Sequence, residues 1–337
     1  MKAKTKTVKL SGVGMHSGTE ASVTVRPAKS GGIVFVRNGV RMNATCGNIT
    51  PSPLRSTILG KKPNQIQTIE HLMCALYVCG VANARIEIDN SEMPILDGCA
   101  KEFIRALKKL KRTGETPFLR IKKSVSAEYS ELKIPLWLKF FDLFKGNKKK
   151  NAFVRLSPVS GKRLEISGDI DYVMPVIGFQ KYSFSFDYDD FAKSAQRFMK
   201  EVAVARTFGT EAEWKWLKKH GMGAGANGEN VLAVNKDGTD TLNDLFFKNP
   251  KEKKRILGEY GYLLPRGKKI VKKHFRDEFI RHKILDAVGD LYTSGFRIIG
   301  RMEFTKGGGH ALNNLALKKL FADPKNYDII PDGGGKK

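Results

Sequence analysis

Six histidines, His16, His71, His220, His274, His282 and His310, are few enough in 337 residues to weigh singly. Three sit where their neighbours give them chemistry. The run Asp277-Glu-Phe-Ile-Arg-His-Lys-Ile-Leu-Asp-Ala-Val-Gly-Asp-Leu-Tyr292 has helical patterning. It sets His282, Asp286 and Asp290 at i, i+4 and i+8, stacked along one face. A His and a carboxylate one turn apart can share a divalent cation. The same spacing also describes a surface ion pair that supports a helix. Leu285 and Ala287 beside Asp286, and Asp290 continuing the stripe, favour a buried site.

A second pair, Glu70-His71, stands at a helix start. Adjacent helical side chains point about 100° apart. If His71 held a metal, Glu70 would flank the ion as a general base toward a metal-activated water. A Glu in a first turn also satisfies the helix dipole without any chemistry. The third element is Lys306-Gly-Gly-Gly-His310, followed by a helical pattern. Three glycines allow close backbone approach, and the amides of a helix start suit an anion or a developing oxyanion. His310 is placed to give a proton to a leaving group, or simply to cap the helix.

These residues need elements to hold them. Ser22-Val-Thr-Val-Arg26 alternates as a half-buried strand, and Gly32-Ile-Val-Phe-Val-Arg37 reads as a second. Helical spacing spans residues 67–79, with Gly80 as its stop. Ala84-Arg-Ile-Glu-Ile88 returns as a strand, and a helix is expected over residues 100–111. One segment recurs: Leu76-Tyr-Val-Cys-Gly80 then Arg85-Ile-Glu-Ile88 aligns with Leu291-Tyr-Thr-Ser-Gly295 then Arg301-Met-Glu-Phe304. Both read helix, glycine, strand, as in a duplicated two-layer unit. The alignment sets His71 opposite Asp286, so facing copies would form a His, His, Asp site with an open position, as catalytic zinc sites have.

Composition narrows the class. The chain is 41% apolar with 20 Phe, which excludes a disordered chain. Its formal charge of +26 suggests a polyanion partner. Yet residues 101–123, 139–163 and 248–276 carry +7, +7 and +9, leaving the other 260 residues nearly balanced. No helix-turn-helix, zinc-finger spacing or RNP-like run accompanies these patches, so nucleic acid is not expected as the ligand. Four cysteines without a C-x-x-C pair, and a basic start lacking an apolar core, point to a reduced, unexported, cytoplasmic protein. The apolar run 134–144 falls short of the ~20 residues of a spanning helix. Its aromatics followed by Lys145-Gly-Asn-Lys-Lys-Lys150 form the pattern of an interfacial segment beside a polybasic patch, or of a docking element between domains.

Six motifs then occur in order: Gly12-Val-Gly-Met-His-Ser-Gly18, Thr68-Ile-Glu-His-Leu72, Pro94-Ile-Leu-Asp-Gly98, Ala205-Arg-Thr-Phe-Gly209, Phe279-Ile-Arg-His-Lys-Ile-Leu-Asp286 with Gly289-Asp-Leu291, and Gly309-His-Ala-Leu-Asn-Asn314. Together they resemble the UDP-3-O-acyl-N-acetylglucosamine deacetylases, zinc amidohydrolases of lipid A synthesis, over residues 5–321. The resemblance implies an α+β fold of two similar two-layer domains, each a duplicated β-α-α-β sandwich like the second domain of ribosomal protein S5, packed face to face with one small insert each. The expected organisation is a first domain at 1–115, a junction with a basic and aromatic insertion at 116–163, a second domain at 164–325 with an insert near 170–200 and a basic insertion at 248–273, and a tail at 326–337.

The same resemblance implies roles. His71, His282 and Asp286 match ligands of one zinc ion, with ferrous iron the alternative metal. Glu70 matches the base, and His310 the cationic partner that stabilises the oxyanion and protonates the amine, with Asp290 holding it. Thr207 matches a hydroxyl at the tetrahedral intermediate. Phe208 matches a hexose-packing ring, Lys283 a cation near the diphosphate, and His16 and Lys306 further substrate contacts. The implied reaction is hydrolysis of the acetamide of the UDP-linked acylated N-acetylglucosamine; apart from the resemblance, a monomer is expected, and the 134–150 segment suggests peripheral contact with an anionic membrane surface. The alternatives are a related deacetylase of another acylated sugar and a basic polyanion binder. The chain departs from the family pattern at Arg55, at Asp171-Tyr-Val-Met-Pro175, at Thr210-Glu-Ala-Glu-Trp214, and in one extra glycine before His310.

Overall fold

The computed structural model describes residues 6–51, 56–112, 114–133, 151–174, 177–234 and 275–330. Arg55, the segment 134–150 and the basic insertion 248–273 lie outside the described residues.

Alternation builds the first sheet. In β2 (Glu20–Pro27), Ala21, Val23 and Val25 are buried while Glu20, Ser22 and Arg26 face out. The sheet runs β1 (Val8–Val13), β2, β7 (Ala84–Ile88), β3 (Ile33–Arg37), β4 (Val40–Asn43), and its successive pairings are antiparallel, antiparallel, parallel and antiparallel. A short pair, β5 (Ile49–Thr50) and β6 (Ile58–Leu59), stands apart.

The second sheet has seven strands. Its path is β9 (Val125–Glu128), β10 (Phe153–Ser157), β15 (Arg297–Phe304), β11 (Arg163–Asp171), β12 (Phe179–Asp187), with the same succession of pairing senses. β8 (Phe118–Ile121) pairs with the start of β15, and β16 (Tyr327–Ile330) pairs with β8. Residues 327–330 are therefore sheet and not tail. The expected insert near 170–200 is also corrected. Residues up to Asp187 are the β11–β12 ribbon of the main sheet, because Leu164, Ile166 and Ile170 carry an inward apolar face to its end, and α3 (Phe191–Glu201) packs on that ribbon. The separate unit comes later: β13 (Thr207–Thr210), α4 (Glu211–Lys219) and β14 (Val231–Val234), a parallel pair joined through the helix.

α1 (Glu70–Cys79) and α5 (Glu278–Tyr292) pack on each other, with all of α1 and most of α5 buried. α2 (Lys101–Leu107) lies against α1, and α6 (His310–Ala322) against α5. One continuous apolar core joins both sheets and these helices. α1 starts three residues later than its periodicity predicts. Gln67 is held in a bridge to Glu92, and Thr68 takes a φ of 61°, so neither can join the helix. α2 likewise ends at Leu107, short of residue 111, although Leu110 is still buried beyond it.

The crossing of α1 and α5 depends on Gly289. A Cβ there would stand 2.1 Å from the Glu70 carbonyl oxygen, which is helix backbone and cannot swing aside. Gly289→Ala is expected to cost about 1–3 kcal/mol, the usual range for overpacking. A denaturant midpoint equal to that of the unaltered chain would contradict this close contact.

Candidate metal centre and active site

Glu70 is the first residue of α1 and His71 the second. His282 and Asp286 lie one turn apart on α5, and the crossing brings the two helices' polar residues together. Ligand atoms of His71, His282 and Asp286 all lie within 4.8 Å of one another, and all three residues are buried. Asp286 Oδ1 is 3.3 Å from His282 Nε2 and 3.6 Å from His71 Nε2. The alignment that opposed His71 to Asp286 thus describes two side chains that meet.

The donor set fits a divalent cation. His282 Nδ1 lies 2.9 Å from the Ala205 carbonyl, which can only accept, so the proton is on Nδ1 and the Nε2 lone pair faces Asp286. Burial pushes the His282 pKa down to about 3, keeping the ring neutral, the ligating form. Burial works against ionisation of Asp286, yet the charged Lys283 and His310 beside it hold it well below the usual carboxylate range. Among the described residues, Asp286 Oδ1 is nonetheless buried with no hydrogen-bond partner. A buried acceptor without a partner carries a desolvation cost, and a cation at this point removes it.

Beside these three residues lie Glu70 and His310. His310, the first residue of α6, follows three glycines with φ of 84°, 50° and 117°, a run of positive values that residues with a Cβ adopt only under strain. Its Nδ1 is 2.9 Å from Asp290 Oδ2, and its Nε2 is 3.7 Å from Glu70 Oε1. Burial opposes a charge on this ring, but Asp290, Glu70 and Asp286 raise its pKa to about 9. Glu70 moves upward as well, chiefly by burial, while His310 and His71 pull the other way.

Ten of the eleven residues singled out from the sequence line one cavity of about 430 Å³: His16, Glu70, His71, Thr207, Phe208, His282, Lys283, Asp286, Lys306 and His310. The eleventh, Asp290, sits behind His310. Ile49, Trp214, Leu217, Leu312 and Leu315 supply apolar wall. His16 is carried by a loop whose His16 and Ser17 amides donate to Glu92, at 2.9 and 2.8 Å. The Lys306 amide donates to Asp169 at 2.8 Å. The Lys283 ammonium lies 2.7 Å from Asp286 Oδ2. The segment Thr210-Glu-Ala-Glu-Trp214, a departure from the family pattern, begins α4 with a capping box between Thr210 and Glu213 and turns Trp214 into the buried wall.

Several contributors had not been singled out. Thr57 donates its hydroxyl to Asp290 Oδ1, and its amide donates to Glu70 Oε2 at 3.1 Å. Asn313 donates to Asp290 Oδ2 at 2.7 Å. Asn313 and Asn314 lie at i+3 and i+4 from His310, so helical spacing could have flagged them. Thr57 has no such signal, because a loop and 233 residues of chain separate it from Asp290.

The family model for UDP-3-O-acyl N-acetylglycosamine deacetylase matches residues 2–273 and 262–322. The chain belongs to that family. A protein of this family from Geobacter sp. (strain M21), named UDP-3-O-acyl-N-acetylglucosamine deacetylase, is 34% identical over 328 residues, covering 95% of this chain and 88% of its own length. Proteins with the same name from Neisseria meningitidis serogroup A (33%, covering 96% and 91%) and Myxococcus xanthus (34%, covering 97% and 88%) are similar along nearly the whole chain.

The raised pKa of His310 makes stability depend on pH. A pKa raised from 6.5 to about 9 contributes stability in full below about pH 6.5, and this is lost as pH rises through about 9. In the metal-free protein, the His310 ring resonances should titrate near 9, and Asp290→Asn should lower that midpoint by at least about one pH unit. An NMR titration with an unmoved midpoint would remove Asp290 as the partner that holds the charge.

Proposed function

We propose that this chain is a zinc-dependent amidohydrolase that cleaves the acetamide of UDP-3-O-(3-hydroxyacyl)-N-acetylglucosamine, the committed step of lipid A synthesis. The observation that carries this reading is the convergence of His71, His282 and Asp286 with Glu70 and His310 in the lining of one cavity. His71, His282 and Asp286 would hold the ion. When bound, zinc acidifies water toward a pKa of ~7 and polarises a carbonyl oxygen as a Lewis acid.

The side chains do the rest. Glu70 takes the proton of the attacking water, a task suited to a carboxylate whose burial has raised its basicity. The water oxygen bonds to the acetyl carbon, and the C–N bond then breaks. His310 donates from Nε2, first as a hydrogen bond to the oxygen that gains charge and then as the proton the departing amine needs. Asp290, held in turn by Thr57 and Asn313, engages Nδ1 and so directs Nε2 into the cavity. The Thr207 hydroxyl supplies a further donor to the oxyanion. Phe208 packs the hexose, Lys283 is a cation near the diphosphate, and His16 and Lys306 provide further substrate contacts. Acetate and the free amine leave.

In this reading the two sheets are duplicated copies. The repeated order of pairing senses and the aligned helix, glycine and strand segments support it. A cytoplasmic enzyme touching an anionic bilayer through residues 134–150 suits a substrate with an acyl chain, and the aromatic-then-polybasic sequence supports that contact.

A deacetylation assay on the UDP-linked acylated sugar tests the reaction. Glu70→Ala and His310→Ala should each lower turnover by at least about a hundredfold. A purified active chain with no divalent ion would overturn the metal reading, and turnover only of a different acylated sugar would reassign the substrate. For the membrane contact, deleting residues 134–150 should abolish co-sedimentation with anionic vesicles. Retention by the deleted chain would refute it.

A further inference from the structure

One turn ahead of His282 on the same face of α5 stands Glu278, fully buried at 0% exposure. Its Oε1 accepts from the backbone N–H of Arg206 and from the Arg206 Nε, both at 3.1 Å. Arg206 is itself only 3% exposed. His282 Nδ1 meanwhile donates to the carbonyl of the preceding residue, Ala205. Two side chains four residues apart on one helix therefore grip consecutive residues of another segment, one by its N–H and one by its C=O. That segment leads directly into β13. There the Thr207 amide donates to the Gly98 carbonyl at 2.8 Å, and the Phe208 ring packs on Phe279, whose centroid lies 4.7 Å away.

A buried ion pair is weak evidence for stability, because the desolvation of both ions offsets their attraction. Its placement here points to orientation. The Ala205 carbonyl determines which nitrogen of His282 keeps its proton and therefore which one is free to ligate. Groups that orient ligating histidines in this way typically change metal affinity by about 10–100-fold when removed.

We infer that the Arg206–Glu278 pair is a positioning staple for the metal centre: it holds the Ala205 carbonyl against His282 Nδ1 and sets Thr207 and Phe208 at the cavity wall. Arg206 and Glu278 are positioning residues that act through Ala205 and His282. The inference rests on the metal-site reading of His71, His282 and Asp286.

The test uses cobalt(II) as the probe on the full metal-free chain, following affinity and the visible absorption of the bound ion. Glu278→Asp keeps the charge and withdraws the reach to the Arg206 amide. Its cobalt affinity should fall by at least about tenfold with an altered absorption spectrum, while circular dichroism stays that of the unaltered chain. Glu278→Gln keeps the reach and the acceptor, and it should restore the original spectrum. Cobalt binding and spectrum unchanged in Glu278→Asp would overturn the staple alone, as would equal loss in both variants. No cobalt binding by the unaltered chain would overturn the metal-site reading and the staple with it. If Glu278→Asp does not fold, Arg206→Lys carries the test: it keeps the charge but not the guanidinium fork, so weakened binding with an altered spectrum supports the staple, and unchanged binding overturns it.

Discussion

Two buried helices can bring their backbones into contact only where one of them has no side chain. At Gly289 that condition is met against the Glu70 carbonyl. The site depends on this approach, because α1 carries Glu70 and His71, α5 carries His282 and Asp286, and the reach of a His or an Asp is only a few ångströms. Were the helices one methyl group further apart, Asp286 could not lie within 3.6 Å of His71 on the other helix. The long apolar faces of both helices hold the crossing closed, while the polar residues at their facing positions cost free energy to bury. The core thus stabilises a cluster that could not persist alone.

Inside that cluster, identical side chains are driven to opposite states by their surroundings. His282 meets a backbone carbonyl and is kept neutral by burial, so it offers a lone pair. His310, equally buried, faces three carboxylates and is kept charged, so it offers a proton. Division of labour between imidazoles in this site follows from which groups each ring faces, not from residue type. The second ring of contacts enforces it. Asp290 is fixed by Thr57 and Asn313, and the Ala205 segment is fixed by Arg206 and Glu278. Each orienting group comes from an element different from the one that carries the histidine it serves, or from a different turn of the same helix.

The basic excess stands apart from this chemistry. Most of the +26 lies in residues 101–123, 139–163 and 248–276, while the motifs that line the cavity come almost wholly from nearly neutral stretches. Net charge governs which partners a surface attracts and says little about fold or reaction. For this chain it first suggests a polyanion ligand, whereas the cavity gathers the buried side chains of Glu70, His71, His282, Asp286 and His310.

Local periodicity determined much by itself. The alternation of β2, the apolar run of β3, the helix stop at Gly80, the stripe His282, Asp286, Asp290 and the opposition of His71 to Asp286 were all legible, because period and spacing are properties of neighbouring residues. Element ends and strand membership were not. Gln67 is held out of α1 by a bridge to Glu92 and Thr68 by its φ of 61°, β11–β12 belongs to the main sheet instead of an insert, and residues 327–330 pair with β8 across the chain. Nor could Thr57 be assigned to Asp290, or Arg206 to Glu278. Such pairings are made between segments far apart in the chain, so only the packing of the sheets and helices decides them. Sequence spacing could nominate the groups that do the chemistry; tertiary structure decided their distances, their protonation and what holds them in place.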